Sequence, residues 1–470
     1  MPTKLLTRIL AGLLLASMIL SACGPAATEA PPPPEATEAP AQPVVTEAPP
    51  PTEAPKPTGK LLVWVQKINM EAWQATVLPK FQEMYPDVEI EFVNNPPQDV
   101  ADNVGLAIQG GTGGPDLFVT GTEYGTKLVA LGAGLMDLTA LVEPYLSELN
   151  PTMVAACTRD GKIYCVPWDI GPIGTFYRRD VFQAAGLATE PEAVSALIPT
   201  WDDLLATCKT IKEKTGLNCF SLNKANNEGY LYEYMLHEQG LGYFNAAGEL
   251  TIASPANVAT LEKLQAFWDA GLVSDTQVWT DPWYAEFANP LDNKDVPPVA
   301  LITIPVWMGG FFKGWIAPDA VGNWGVAEMP SFTVGGARAG TGGGSSYYIP
   351  EASTNPVAAW ELIKFLNLDP ANNAAIYAHA DIFPAVASAY EEPVFDEADP
   401  YFGGQKTRAF FAEVALRSPT DYFLHPYGAV MHDQVLIAIQ KFAMGQLSAQ
   451  DALNEAQDAV ALETGMSIAK

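Results

Sequence analysis

The hydrophobic pattern becomes regular at residue 60. Residues 60–65 (KLLVWV) form an apolar run between Gly59 and a polar stretch, which predicts a buried strand. Residues 71–85 carry apolar side chains at helical spacing (Trp73, Val77, Phe81, Met84), with Pro79 placed to kink the helix. Residues 88–93 alternate as a second strand, and 100–109 read as a helix closed by Gly110 and Gly111. Residues 116–120 (DLFVT) make a third strand. Strand, helix, strand, helix, strand with short connections predicts right-handed crossovers and a parallel sheet. Ligands of such sheets bind beyond the carboxyl ends of the strands, here near 66–69 and 120–124.

The stretch 160–182 (DGKIYCVPWDIGPIGTFYRRDVF) breaks this rhythm. A turn at Asp160-Gly161 leads into a short strand, 162–166. Trp168 and Asp169 then precede a Gly/Pro-rich passage, 170–174, and a second apolar strand, 175–177. Two strands joined in this way fit a chain passing from one compact body to another, and clefts between bodies favour small-ligand sites. An ordinary surface loop fits the local pattern equally well.

Farther on, Thr200 opens a helix with a T-x-x-D cap, and Ser254-Pro255 caps another that stops at Gly271. Residues 298–304 are a buried strand leading into Pro305, Val306 and Trp307. A glycine-rich run, 340–346, precedes Tyr347, and Asn355-Pro356 caps a helix over 357–367. Helices at 434–444 and 449–463, the latter capped by Ser448, end an α/β pattern long enough for two lobes.

Composition changes the picture mainly at the amino terminus. Lys4 and Arg8 precede an apolar run, 9–20, too short for an ordinary membrane span, and Leu20-Ser21-Ala22-Cys23 resembles a bacterial lipobox. Residues 1–22 are thus expected to be a lipoprotein signal, with Cys23 as the lipidated residue and the only membrane anchor. Residues 23–59, rich in Pro, Ala, Thr and Glu with TEAP recurring, should form a disordered tether able to reach about 110 Å when extended. The net charge is −29, and all but −2 of it lies beyond residue 59. So acidic a body repels nucleic acid and anionic lipid headgroups.

Four further cysteines, Cys157, Cys165, Cys208 and Cys219, belong to an exported, oxidising compartment. Of three possible pairings, Cys157–Cys165 and Cys208–Cys219 each close a short loop and are the expected disulfides. Zinc lacks a CxxC pair and a nearby His, so no metal is expected. The glycine runs lack a P-loop ending, no H-E-x-x-H or G-x-S-x-G is present, and no catalytic residue or cofactor is assigned. A glycosidase needs only two carboxylates at the right separation, which 54 acids leave open as the enzymatic alternative.

Several stretches, in this order, carry a resemblance: GKLLVWV, GGPDLFVTGTEY, the 160–182 stretch, PTWDDLLATCKTIKEKTG, LITIPVWMGG, GGSSYYIPEASTNPVAAWELIKFL and FPAVASAY. Together they resemble the family 1 extracellular solute-binding proteins of ABC importers, the group that includes maltose-binding protein. The resemblance implies a two-lobed α/β fold of the periplasmic-binding-protein kind, with discontinuous lobes and a ligand cleft between them. Residues 60–168 plus 331–382 would form one lobe and 169–330 plus 383–470 the other. It also implies a monomer outside the cytoplasm that hands solute to the membrane subunits of a permease. Two features depart from the family pattern, the cysteine quartet and the segment 279–298.

A sugar is the solute expected here, since a carbohydrate site needs flat aromatic faces and a few polar groups for hydroxyls. Trp168 with Asp169, Trp307, Tyr347 and Asp116 fall where the resemblance puts the cleft. Gln66 and Lys67 follow the first strand, Thr120 ends the third, and Trp283 belongs to the unmatched segment. Trp73, Trp201, Trp268 and Trp360, at helical spacing, read as core. Glycerol phosphate or polyamine receptors share the architecture and remain alternatives.

Overall fold

The computed structural model describes residues 56–111, 113–131, 134–225, 230–420, 425 and 427–470. The signal, Cys23 and nearly all of the tether lie outside the described residues. Seven strands make the main sheet: β1 (Gly59–Val65), β2 (Val88–Asn94), β3 (Leu117–Gly121), β4 (Val166–Arg178), β5 (Leu301–Pro305), β6 (Trp324–Glu328) and β7 (Thr341–Tyr348). Their order is β6-β4-β7-β3-β1-β2, with β5 also paired to β4. β1 runs parallel to β2 and β3, as the alternation of strands and helices predicts, while β7 is antiparallel to both β3 and β4.

Two hydrophobic cores form on this sheet. Leu61, Val63 and Val65, on one face of β1, pack into the first with Phe118, Trp168, Tyr347 and Trp360. Phe176, Tyr177, Trp201, Phe267, Trp324 and Leu453 belong to the second. Strand β4 serves both. Its first half pairs with β7, and residues 173–178 pair with β5 and β6. A third passage runs through Asp381–Val386, where Pro384 bridges to Asp169. Residues 331–338 bond to the 195–200 segment, through Ser331 and Arg338, and so pack with the second core.

The Gly/Pro-rich passage after Asp169 is not a loop. It is the middle of a thirteen-residue strand. A Cβ on Gly171 would lie 2.0 Å from the Gly342 carbonyl oxygen and 2.9 Å from Pro305, and one on Gly174 would meet Val326 and Phe411. The glycines are there because backbone and side chains from both lobes approach this strand, not because the chain turns. Likewise the glycine run near 342 lies inside β7, where Gly343 and Gly344 have positive φ and the register with β4 shifts.

Local signals elsewhere act as expected. The chain over 67–84 forms two helices, Lys67–Ala75 and Leu78–Met84, with Pro79 in the first turn of the second. Thr200 accepts from the Asp203 N–H and donates to its carboxylate, Ser448 does the same with Asp451, and Ser254 accepts from the Asn257 N–H. Asn355 precedes the helix Pro356–Ile363, but its side chain bonds to the Thr58 and Lys60 carbonyls instead of capping. Disulfides join Cys157 to Cys165 and Cys208 to Cys219, with Cα separations of 5.0 and 5.3 Å. Among the described residues no helix is long and apolar enough to cross a membrane.

Candidate functional site

The crossings bring a small set of chain segments together. β5 ends at Pro305, which pairs with Ile173 on β4, and the Val306 N–H bonds to the Pro172 carbonyl at 2.9 Å. Trp307 is thereby placed as the first residue of a helix, Trp307–Phe311, directly beside the point where β4 passes between the lobes. Its indole is half-buried and stacks on Trp279, with centroids 5.9 Å apart and planes at 29°. Trp279 is half-buried too, and its backbone is left-handed, with φ of 60°. A bulky residue holds that conformation only where its surroundings over-determine it, and such strain gathers at ligand clamps.

Behind this pair Trp283 is 2% exposed and packs against Trp279 at 4.9 Å and edge-on to Phe287 at 4.9 Å. Trp279 and Trp283 also line a small cavity of about 80 Å³ with Trp201, Phe220, Tyr230, Tyr234 and Thr303. Tyr234 reaches the β7 crossing, since a Cβ on Gly342 would lie 2.4 Å from its ring. Its helix, Tyr230–His237, is fixed by polar bonds. Glu233 accepts from Tyr243 Oη and from His432 Nδ1, each at 2.8 Å, and His237 Nδ1 meets the Thr341 carbonyl of β7 at 2.9 Å. Burial works to raise the Glu233 pKa, but the neighbouring His432 and the hydrogen bonds outweigh it and hold the carboxyl below its usual value.

Asp169 lies on β4 at the crossing, opposite Ser345 of β7. Burial pushes its carboxyl up to about 6, against the pull of hydrogen bonds from Ser345. Its Oδ1 is enclosed and has no hydrogen-bond partner among the described residues. A buried acceptor without a partner costs about 1–3 kcal/mol and marks a place where a donor fits. Gln66 and Lys67 follow the carboxyl end of β1. Gln66 is half-buried, while Lys67 is exposed and pairs with Glu71 at 3.5 Å.

Five of the expected site residues are placed differently. Trp168 is 1% exposed, set edge-on to Trp73 at 5.5 Å and tilted on Tyr347 at the same distance. Tyr347 is wholly buried and stacks on Trp73. These rings are core, because the passage between lobes is a strand covered on both faces and leaves no open wall. Thr120 is also fully buried, in the central strand β3. Asp116 stands at the amino end of β3, away from the crossings. Its carboxylate accepts from the Leu62, Thr354 and Asn355 N–H groups and from the hydroxyls of Ser353 and Thr354. It braces β1, β3 and the start of the helix Pro356–Ile363. Trp283, similarly, has no open face and supports Trp279 from beneath. Trp279 itself was missed, and its only signal was the unmatched W-T-D-P-W-Y run.

The model of the bacterial extracellular solute-binding protein family matches residues 64–373. The chain belongs to this family. This solute-binding protein is 27% identical over 372 residues to the lactose-binding protein of Rhizobium radiobacter, covering 77% of this chain and 83% of that one. It is 23% identical over 357 residues to the arabinooligosaccharide-binding protein of Bacillus subtilis, covering 74% and 79%. Among solved structures, the galacto-N-biose-/lacto-N-biose I-binding protein of Bifidobacterium longum superposes with a TM-score of 0.70 at 19% identity, covering 88% of this chain and all of that one. An extracellular solute-binding protein family 1 structure gives 0.71 at 22% identity, covering 85% and 99%. The solute-binding protein therefore has the two-lobed fold, and the cysteine pairs and the 279–298 segment sit within it. Among its described residues, no group of His, Cys, Asp and Glu could hold a metal ion.

Proposed function

We propose that this protein is an extracytoplasmic receptor that binds a sugar or oligosaccharide between its lobes, closes on it, and delivers it unchanged to the permease of an ABC importer. The observation that carries the reading is the partly open indole of Trp307, held beside the crossings by the strained Trp279. A flat aromatic face of this kind suits the C–H surface of a pyranose or furanose ring. Asp169, half-buried at the crossing, and Gln66 and Lys67, past the carboxyl end of β1, would take the hydroxyls. The sugars in the names of the relatives agree with this chemistry. Residues 60–168 with 341–382 would move against 169–340 with 383–470, since those groups follow the two cores except at Met153, Ala374, Tyr377 and Val386. Cys23 would carry the lipid, leaving the Pro-rich tether to keep the receptor close to its permease.

The test is a thermal-shift screen of the mature protein against lactose, arabinooligosaccharides, galactobiose, glycerol phosphate and spermidine. A ligand at a hundred times its dissociation constant adds about 2.7 kcal/mol to the folded state. A shift with a sugar and recovery of that sugar intact are the expected results. A shift only with glycerol phosphate or spermidine would overturn the sugar assignment, and release of shorter products would make the protein an enzyme. Mass spectrometry of the mature amino terminus should find a lipid on Cys23, and its absence would remove the anchor.

A further inference from the structure

The helix that begins at Trp307 continues beyond Phe311 as a π turn, Phe312–Ile316. Trp307, Phe311 and Trp315 fall four residues apart and lie along one side of it. Adjacent ring centroids are 5.4 and 5.6 Å apart. From Trp315 the contacts return through Tyr284 at 4.7 Å, Trp283 at 5.4 Å and Trp279 at 4.9 Å, so six rings form a closed circuit with the Trp307–Trp279 stack. The opposite side of the same helix is anchored. Phe312 is wholly buried and stacks on Trp324 at 4.3 Å, and Lys313 pairs with Asp381 and with Asp399. The stripe is therefore held rigidly.

Trp315 is 52% exposed, the one exposed tryptophan among the described residues. A Cβ on its neighbour Gly314 would meet nothing within 4 Å, so the surface beside the indole is open. An exposed aromatic continuous with a binding platform is unlike the scattered apolar residues that need no explanation. It extends the Trp307 face outward by roughly 10–12 Å, two helical turns. Its members carry no charge, which suits a neutral chain of sugar rings better than an ionic ligand.

We propose, on the sugar-receptor reading above, that Trp315 with Phe311 is a distal subsite on which the outer units of an oligosaccharide lie, so that the receptor selects for chain length. Short sugars would reach Trp307 alone, and longer ones would also stack along the stripe. The occupant follows from the continuity of the rings with the Trp307 face.

The experiment is calorimetry on the mature protein with arabinooligosaccharides and galactooligosaccharides, from disaccharide to octasaccharide. Wild-type affinity should rise with length in the series it recognises. Trp315→Ala should leave the disaccharide unchanged and lower the affinity for the longest members on the order of tenfold, while Trp315→Phe should recover part of the loss. Disaccharide binding with no dependence on length, or an equal effect of Trp315→Ala at every length, overturns the subsite and leaves the receptor reading intact. Normal binding at all lengths with impaired uptake by cells also overturns it and assigns the stripe to a permease contact. If the wild type binds no member of either series, the subsite and the sugar reading both fail.

Discussion

The indole rings of Trp279 and Trp307 lie 5.9 Å apart with planes at 29°, one from a left-handed turn and one from the first residue of a helix. This stack contrasts with Trp168, whose ring is closed in by Trp73 and Tyr347. Trp307→Ala should cost little stability but 2 kcal/mol or more of binding free energy, about thirtyfold in dissociation constant. Trp168→Ala should do the reverse and lose roughly 3–5 kcal/mol of stability. Urea unfolding without ligand, paired with calorimetry on each variant, separates the two, and near-normal affinity in Trp307→Ala would remove the platform.

Gly171 is required by the approach of β7, whose Gly342 oxygen would sit 2.0 Å from an added Cβ. Gly171→Ala should therefore separate the strands at the crossing and cost upwards of about 3 kcal/mol. Gly161→Ala is the control, with nothing within 4 Å but a φ of 74°, and should cost only about 1 kcal/mol. Equal urea midpoints for the two variants would mean that the crossing tolerates a side chain.

Asp116 is held below the usual carboxyl range; burial pushes the other way, but the Leu62 and Thr354 N–H groups and the Ser353 and Thr354 hydroxyls prevail. A depressed folded pKa contributes stability that is fully present above the ordinary aspartate value of about 4 and is lost as pH falls through the lower folded value. Asp116→Asn should accordingly destabilise by roughly 1–3 kcal/mol at neutral pH and lose less on acidification than the wild type. Its affinity for sugar should be unchanged, since Asp116 lies at the far end of β3. Reduced affinity in a folded Asp116→Asn protein would contradict that placement.

Asp169 behaves oppositely because burial raises its pKa to about 6. The carboxylate that can accept from a hydroxyl exists above that value and is protonated below it. Affinity for the recognised sugar should hold from neutral pH down to about 6 and weaken as pH falls further, and Asp169→Asn should flatten this profile. Calorimetry between pH 5 and 8, as rough limits, reads the effect. An unchanged profile in Asp169→Asn would take this carboxyl out of the site.

Removing the Cys208–Cys219 disulfide should cost about 2–3 kcal/mol, as for loops of this size. The paired Cys208→Ser, Cys219→Ser variant, compared by urea unfolding with and without reductant, checks it. A reductant effect that survives in the variant belongs to Cys157–Cys165.

Local chemistry alone determined a great deal about this protein. Alternation and helical spacing fixed most strands and helices to within a few residues, as at β1, β2 and the helix Ala449–Thr464, because those signals depend on neighbours one to four residues away. Caps at Thr200, Ser254 and Ser448 and the two short disulfide loops are local in the same sense. Which side chains face a cleft is not local. Trp168, Asp169 and Gly171 look like a loop in sequence, yet strand pairing with β7 and β5 buries the first, encloses the second and forces the third to be glycine. Asp116 looked like a ligand contact until Ser353, Thr354 and Asn355, more than two hundred residues away, used up its oxygens. Trp279 was marked in sequence only by the unmatched W-T-D-P-W-Y run, because its value comes from a stack with Trp307 that only the folded second lobe assembles. Burial and partner geometry depend on contacts between distant segments, and the sequence records those only through the fold.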